Sequence, residues 1–222
     1  MQFIKSADSS IGENDLANSL VEELNKGPVL WLISGGSNIA LEVQILKKIS
    51  PPLTKNLNIM LVDERLGPSG HKYSNYQQLL DSGLKLGQAN FPNVLENYSS
   101  PLEALSRYNE VFTDLANKSS TIIGQLGIGT DGHIAGILPG SQAISSAKIA
   151  ITYDSPPYKR LTLTLKSLKN INQVYVFCFG LDKRPALERL LRSSEDVDSL
   201  PSKVLCEIKN VKVYNDQLKG ER

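Results

Sequence analysis

The chain has 222 residues, 41% hydrophobic and 21% charged, a balance that suits a globular domain with a sizeable core and excludes disordered, collagen-like and coiled-coil chains. Lys and Arg number 24 against 23 Asp and Glu, a formal charge of +1, so no global field gathers nucleic acid or an anionic membrane and any anion must be held locally. Met1–Gly12 shows no signal-peptide pattern, the longest apolar run, Val174–Phe179, is far too short to span a bilayer, and Cys178 and Cys206 form neither a disulfide framework nor a clustered metal site. The expectation is a cytoplasmic protein.

Glu13–Lys26 carries Leu16, Leu20, Val21 and Leu24 at helical spacing and is stopped by Gly27-Pro28. Val29–Ile33 then reads as a buried strand, followed by the turn Ser34-Gly35-Gly36-Ser37 and a second amphipathic helix, about Asn38–Ile49, that ends at Pro51-Pro52. Glycines in a strand-to-helix turn let the backbone approach a ligand and leave N–H groups facing an anion, so phosphate or a sugar phosphate is the natural guest. A tight turn with Ser37 as N-cap serves the same residues equally well. The turn lacks the Lys of a Walker motif and the third Gly of a dinucleotide fingerprint.

The grammar repeats with strand Leu57–Val62, a polar loop, a helix near Ser74–Leu80, a longer helix Pro101–Asn117 and strand Thr121–Leu126. The polar loop reads Asp63-Glu64-Arg65, then Pro68, His71 and Ser74-Asn75-Tyr76. Two carboxylates and a guanidinium at a strand's carboxyl end can orient a catalytic group and hold a polar ligand; the alternative is a surface salt-bridge cluster capping the next helix. His71 reads as a solvated or helix-flanking residue, with a ligand contact left open.

After Thr121–Leu126 comes the loop Gly127–Ser141, beginning Gly127-Ile128-Gly129-Thr130-Asp131-Gly132-His133. His133 can act as a general base near neutral pH, with Asp131 or Asp63 setting its tautomer. Strands are predicted at Lys148–Thr152, Arg160–Leu165 and Val174–Phe179, and a closing helix at Asp182–Arg192. Arg160 or Lys183 could close a phosphate site with the serine-glycine loop, though each also reads as an ordinary edge-strand or solvated charge. No linker, repeat or low-complexity tract divides the chain, so residues 1–222 read as a single doubly wound α/β domain with a mainly parallel sheet, whose ligands sit outside the carboxyl ends of the strands.

Taken together, these segments resemble the 6-phosphogluconolactonase family, which stands with the glucosamine-6-phosphate deaminases in one sugar-phosphate superfamily. The likeness is carried by Ser34-Gly35-Gly36-Ser37, by Asp63-Glu64-Arg65 with Pro68, His71 and Ser74-Asn75-Tyr76, and by Gly127-x-Gly129-x-Asp131-Gly132-His133 with Pro139-Gly140. Arg160-Leu161-Thr162-Leu163-Thr164, Lys183 and Pro201-Ser202 extend it over most of the chain.

The resemblance implies a Rossmann-like fold and hydrolysis of 6-phosphoglucono-1,5-lactone in the pentose phosphate pathway, by a monomer or small homo-oligomer without metal or organic cofactor. His133 would deprotonate the attacking water, Asp63 or Asp131 would support the imidazolium, and Arg65 with loop N–H groups would stabilise the oxyanion. Ser34, Gly35, Gly36, Ser37, Glu64, Asn75, Gly129, Arg160 and Lys183 make up the candidate substrate- and phosphate-binding set. Two departures stand out: Asn38-Ile39 replaces the usual Thr-Pro, and Ile134-Ala135 is similar to the deaminase signature. A deaminase or isomerase of amino-sugar phosphates is therefore one alternative, weakened because its acidic proton carrier falls on Leu138. A sugar-phosphate sensor is another, weakened by the lack of a DNA-binding helix pair.

Overall fold

Every residue of Val29-Leu30-Trp31-Leu32-Ile33 is buried, as expected of a parallel strand covered on both faces. In the computed structural model, which describes residues 1–221, this strand lies within a seven-stranded sheet. In chain order the elements are β1 (Gln2–Lys5), α1 (Ser10–Lys26), β2 (Val29–Ile33), α2 (Ile39–Lys47), β3 (Leu57–Leu61), β4 (Asp63–Leu66), α3 (Asn75–Asp81), α4 (Pro101–Lys118) and β5 (Thr121–Leu126). They continue with α5 (Gln142–Ser145), β6 (Ala150–Ser155), β7 (Tyr158–Leu163), α6 (Leu165–Leu168), β8 (Gln173–Phe177), α7 (Arg184–Arg192), β9 (Val211–Asn215) and β10 (Gly220–Glu221). The main sheet runs β10-β1-β9-β8-β5-β2-β3, parallel throughout except for the β1–β10 pair.

Side-chain alternation along β2 separates two apolar layers. Trp31 and Ile33 face a cluster completed by Leu16, Leu20 and Leu24 of α1 and by Val43 and Leu46 of α2. Leu30 and Leu32 face the other, with Tyr108 and Leu115 of α4 and Leu187 and Leu190 of α7. The helix ends are set locally. The Ser100 side chain accepts from the Glu103 N–H ahead of Pro101, and Ser74 likewise accepts from the Gln77 N–H to start α3.

The sequence reading is corrected in one respect that bears on the site. Segments 148–152 and 160–165 do not join the parallel sheet; as β6 and β7 they form a separate three-stranded antiparallel sheet with β4. Strand β4 lies where the sequence reads as a polar loop, because Asp63-Glu64-Arg65 offers no apolar alternation and its ladder is supplied entirely by β7. Val62 is the joint between the sheets: its N–H donates to the Ile33 carbonyl at 2.8 Å and its carbonyl accepts from the Leu163 N–H at 3.0 Å. The short β1, β9 and β10 are strands not predicted from the sequence. The predicted helix at 38–49 is Ile39–Lys47, and the closing helix begins at Arg184 after one turn of 3-10 helix, Leu181–Lys183.

Candidate active site

The chain leaves β2 to build one side of the parallel sheet and returns through β5 on the other, so the carboxyl ends of β2 and β5 flank a topological switch point. A cleft of about 210 Å³ opens there. Ser34, Gly35, Gly36, Ser37 and Asn38 line it from β2, Gly127, Ile128, Gly129 and His133 from β5, and Lys183 from the β8–α7 turn. The second sheet closes the remaining side with Asp63, Arg65 and Arg160, joined by Asn75, Ala135 and Gly136. A larger groove of about 690 Å³ lies at the opposite ends of the strands, among Met1, Gln173, Lys209 and Lys212, and holds none of these groups.

His133 and Asp131 form a pair at the rim. Imidazole Nδ1 lies 2.6 Å from Asp131 Oδ1, whose carboxylate also accepts the His133 backbone N–H at 3.1 Å. Nδ1–H directed at a carboxylate leaves Nε2 with its lone pair, the tautomer a general base requires. Partial burial raises the Asp131 carboxyl, but the His133 N–H and the imidazole charge outweigh it and hold the group below its ordinary value. The loop is tied by Gly129 N–H to His133 carbonyl at 2.9 Å, and Arg189 of α7 donates to the Asp131 carbonyl at 3.2 Å. Gly129 is required by this closeness: a Cβ there would meet His133 Nδ1 at 2.0 Å.

Asp63 lies across the cleft and makes no hydrogen bond to the imidazole; its Oδ2 is 3.6 Å from Arg160 Nη1. Burial raises its carboxyl, opposed by the charges of Arg160, Arg65 and His133. Gly136, at φ +66°, presses against it, and a Cβ at that position would meet Asp63 Oδ2 at 2.5 Å. The turn that carries Gly136 is held from the second sheet: Thr162 Oγ1 donates to the Ala135 carbonyl at 2.5 Å, and the Tyr153 hydroxyl donates to the Gly136 carbonyl. Asn75 Nδ2 donates to the Asp63 carbonyl at 3.0 Å, while its buried Oδ1 has no protein partner.

Ser37 does not cap α2 through its side chain; it lies exposed in a single 3-10 turn, Gly36–Asn38. Asn38, which the sequence reading noted only as a departure, braces the turn from below by donating to Ser34 Oγ at 3.0 Å. One helical turn further, Glu42 is 0% exposed and neither carboxyl oxygen has a hydrogen-bond partner. Burial pushes its carboxyl well above the ordinary range.

Two candidates are placed elsewhere. Glu64 does not face the cleft: its buried carboxylate accepts from the N–H groups of Arg65, Asn75 and Tyr76 and from the Ser74 hydroxyl, and so caps α3. Adjacent strand residues point to opposite faces, which turns Asp63 and Arg65 toward the cleft and Glu64 away. His71 is also structural, with Nε2 2.8 Å from the Arg65 carbonyl. Arg189, Tyr153 and Glu42 escaped the sequence reading because each sits on a regular element with no motif around it, and Asn38, beside the glycine turn, carries no signal of its bond to Ser34. In sequence Thr162 shows only as part of an alternating strand. Among the described residues no helix is long and apolar enough to cross a membrane, and no group of three or more His, Cys, Asp or Glu is gathered to hold a metal ion.

Residues 11–214 match the family model described as glucosamine-6-phosphate isomerases/6-phosphogluconolactonase. A 6-phosphogluconolactonase of Borreliella burgdorferi is 29% identical over 201 residues, 85% of this chain and 84% of its own. One from Helicobacter pylori is 31% identical over 171 residues, 72% of this chain and 71% of its own. The crystal structure of a 6-phosphogluconolactonase from Shewanella baltica superposes with a TM-score of 0.82, covering 97% of each chain at 23% identity, a likeness of fold.

Proposed function

The chain belongs to the family of glucosamine-6-phosphate isomerases and 6-phosphogluconolactonases, and we propose that it hydrolyses 6-phosphoglucono-1,5-lactone to 6-phosphogluconate. The observation that carries this reading is the His133–Asp131 pair, 2.6 Å apart, at the rim of a cleft lined by Arg65, Arg160 and Lys183. The lactone is an ester closed on itself and the phosphate is a dianion, so the reaction asks for a base that activates water and for cations that place the substrate.

His133 Nε2 takes a proton from water, and the hydroxide oxygen bonds to the lactone carbonyl carbon. Asp131 supports the imidazolium that forms, and N–H groups of the glycine loops with Arg65 offset the charge on the carbonyl oxygen. Collapse breaks the bond from the carbonyl carbon to the ring oxygen, which receives the proton held by His133, giving a free hydroxyl and a carboxylic acid that loses its remaining proton to solvent to become the carboxylate. The Ser34–Ser37 turn, with Arg160 and Lys183, holds the phosphate by backbone N–H groups and charge. Asp63, paired to Arg160 rather than His133, sets the guanidinium instead of the base. The whole chain, 1–222, then serves as one sugar-phosphate lactonase domain, acting in the cytoplasm as a monomer or small homo-oligomer.

The deaminase alternative needs a second proton carrier, and the position where the family's acidic residue falls is Leu138, half-buried, its N–H donated to the Tyr153 hydroxyl at 3.3 Å. A leucine relays no proton. The test is the rate of hydrolysis of freshly made lactone by the wild type and by His133→Ala, after subtraction of the spontaneous rate. The wild type should be fast and the variant slower by about 10²–10⁴-fold. A wild type at the spontaneous rate that releases ammonia from glucosamine 6-phosphate would overturn the lactonase in favour of the deaminase.

A further inference from the structure

In the ladder between β4 and β7, Arg65 stands directly opposite Arg160. Two like charges in that position repel, and each needs a partner of its own. Arg160 has one in Asp63, 3.6 Å away, and a second contact from Nε to Ser155 Oγ at 3.2 Å. Arg65 has no carboxylate within ion-pair distance among the described residues, and Asp63, which its charge reaches, is paired to Arg160. Its Nη1 donates to the Tyr73 carbonyl at 3.1 Å, its buried Nε has no protein partner, and its guanidinium carbon lies 5.5 Å from the centre of the Tyr158 ring. That ring is braced in turn by Tyr73, with ring centres 5.2 Å apart and planes at 55°. Arg65 is thus restrained by a π face and a carbonyl, neither of which cancels its charge, at the wall of the cleft.

We propose that Tyr158 is a positioning residue: its ring, buttressed by Tyr73, holds the Arg65 guanidinium apart from Arg160 and aimed into the cleft as an unneutralised cation for an anionic group of the substrate. A carboxylate in the place of Tyr158 would fix the same side chain but spend its charge. An aliphatic residue would leave it held by the Tyr73 carbonyl alone against the repulsion of the opposing Arg160. The arrangement divides labour between the two arginines. Arg160, tied to Asp63, organises the cleft wall, and Arg65, tied to an aromatic face, keeps its charge for the ligand. This proposal rests on the lactonase reading for its kinetic test and on geometry alone for its spectroscopic one.

The experiment compares Tyr158→Leu, Tyr158→Phe and Arg65→Gln, singly and combined, by lactone hydrolysis and by the ¹⁵N–¹H resonance of Arg65 Nε, assigned by its disappearance in Arg65→Gln. Loss of a cation–π restraint predicts a fall of about three- to tenfold in kcat/KM for Tyr158→Leu. Tyr158→Phe keeps the π face and stays within about twofold of wild type, and Tyr158→Leu adds nothing in the Arg65→Gln background. The Nε proton should exchange slowly in wild type and in Tyr158→Phe, and rapidly in Tyr158→Leu. A Tyr158→Leu effect of full size without Arg65, or an Nε signal indifferent to the ring, overturns the proposal. If the wild type fails to hydrolyse the lactone, the functional reading falls while the exchange measurement still decides for or against Tyr158.

Discussion

Glu42 is the sharpest case of a cost written into the fold. It is 0% exposed on α2, behind the glycine turn, with both carboxyl oxygens unpartnered. Burial is the leading cause that drives its carboxyl well above the ordinary value of 4.5; the nearby Ser34 N–H favours the ionised form, and the charge of Asp63 pushes the other way. The folded protein therefore keeps the proton on Glu42 at pH values where the unfolded chain has lost it. Stability changes with pH as the protons bound by the unfolded state minus those bound by the native state, here negative, so this group makes stability fall as pH rises above 4.5. One proton corresponds to about 1.4 kcal/mol per pH unit, and the fall continues until the folded-state carboxyl itself titrates.

Glu42→Gln replaces the buried acid with a neutral group of nearly the same shape. Urea unfolding followed by the fluorescence of the single tryptophan, Trp31, buried in β2, should give curves for the two proteins that nearly coincide near pH 4. They should then diverge in favour of the variant by up to about 1.4 kcal/mol for each further pH unit. Asp63 and Glu64, also raised by burial, contribute a downward slope common to both proteins and cancel in the difference. A stability difference that stays constant from pH 4 to pH 8 would refute the reasoning, because it would mean that the Glu42 carboxyl ionises in the folded protein as easily as in the unfolded one.

Two further substitutions probe the cleft. Asp131→Asn removes the charge that fixes the Nδ1–H tautomer of His133; kcat should drop by about 10²-fold or more with little change in KM, and a kcat equal to wild type would remove Asp131 from the mechanism. Gly136→Ala places a methyl 2.5 Å from Asp63 Oδ2 at a residue with φ +66°. It should destabilise the fold by about 1–3 kcal/mol from backbone strain alone and lower kcat/KM by displacing Asp63 from Arg160, so a variant silent in both thermal melting and turnover would show that the turn is looser than its geometry.

The sequence by itself determined the middle of the parallel sheet, β2, β3, β5 and β8 with the helices beside them, and where the polar loops lie, but not the strands β1 and β9 beyond β8. Val29–Ile33 and Thr121–Leu126 are apolar runs that only a covered strand accommodates, and Leu16, Leu20 and Leu24 repeat at a helical period, so these elements are local consequences of composition. The glycine turns after them were legible because the positive φ of Gly36 and Gly132 and the close approach of His133 to Gly129 restrict residue choice. Tertiary structure alone decided what the polar residues do. Asp63, Glu64 and Arg65 are consecutive and charged, and nothing in their order says that β7 will pair with them. Once it does, the strand's two-residue period sends Asp63 and Arg65 to the cleft and folds Glu64 under α3. The same pairing brings Arg65 against Tyr158 and ties Asp63 to Arg160, leaving Asp131 to orient His133. Those partners lie far apart in the chain, and a charge acquires its role from what is packed within a few ångströms of it, a property that no stretch of sequence carries alone.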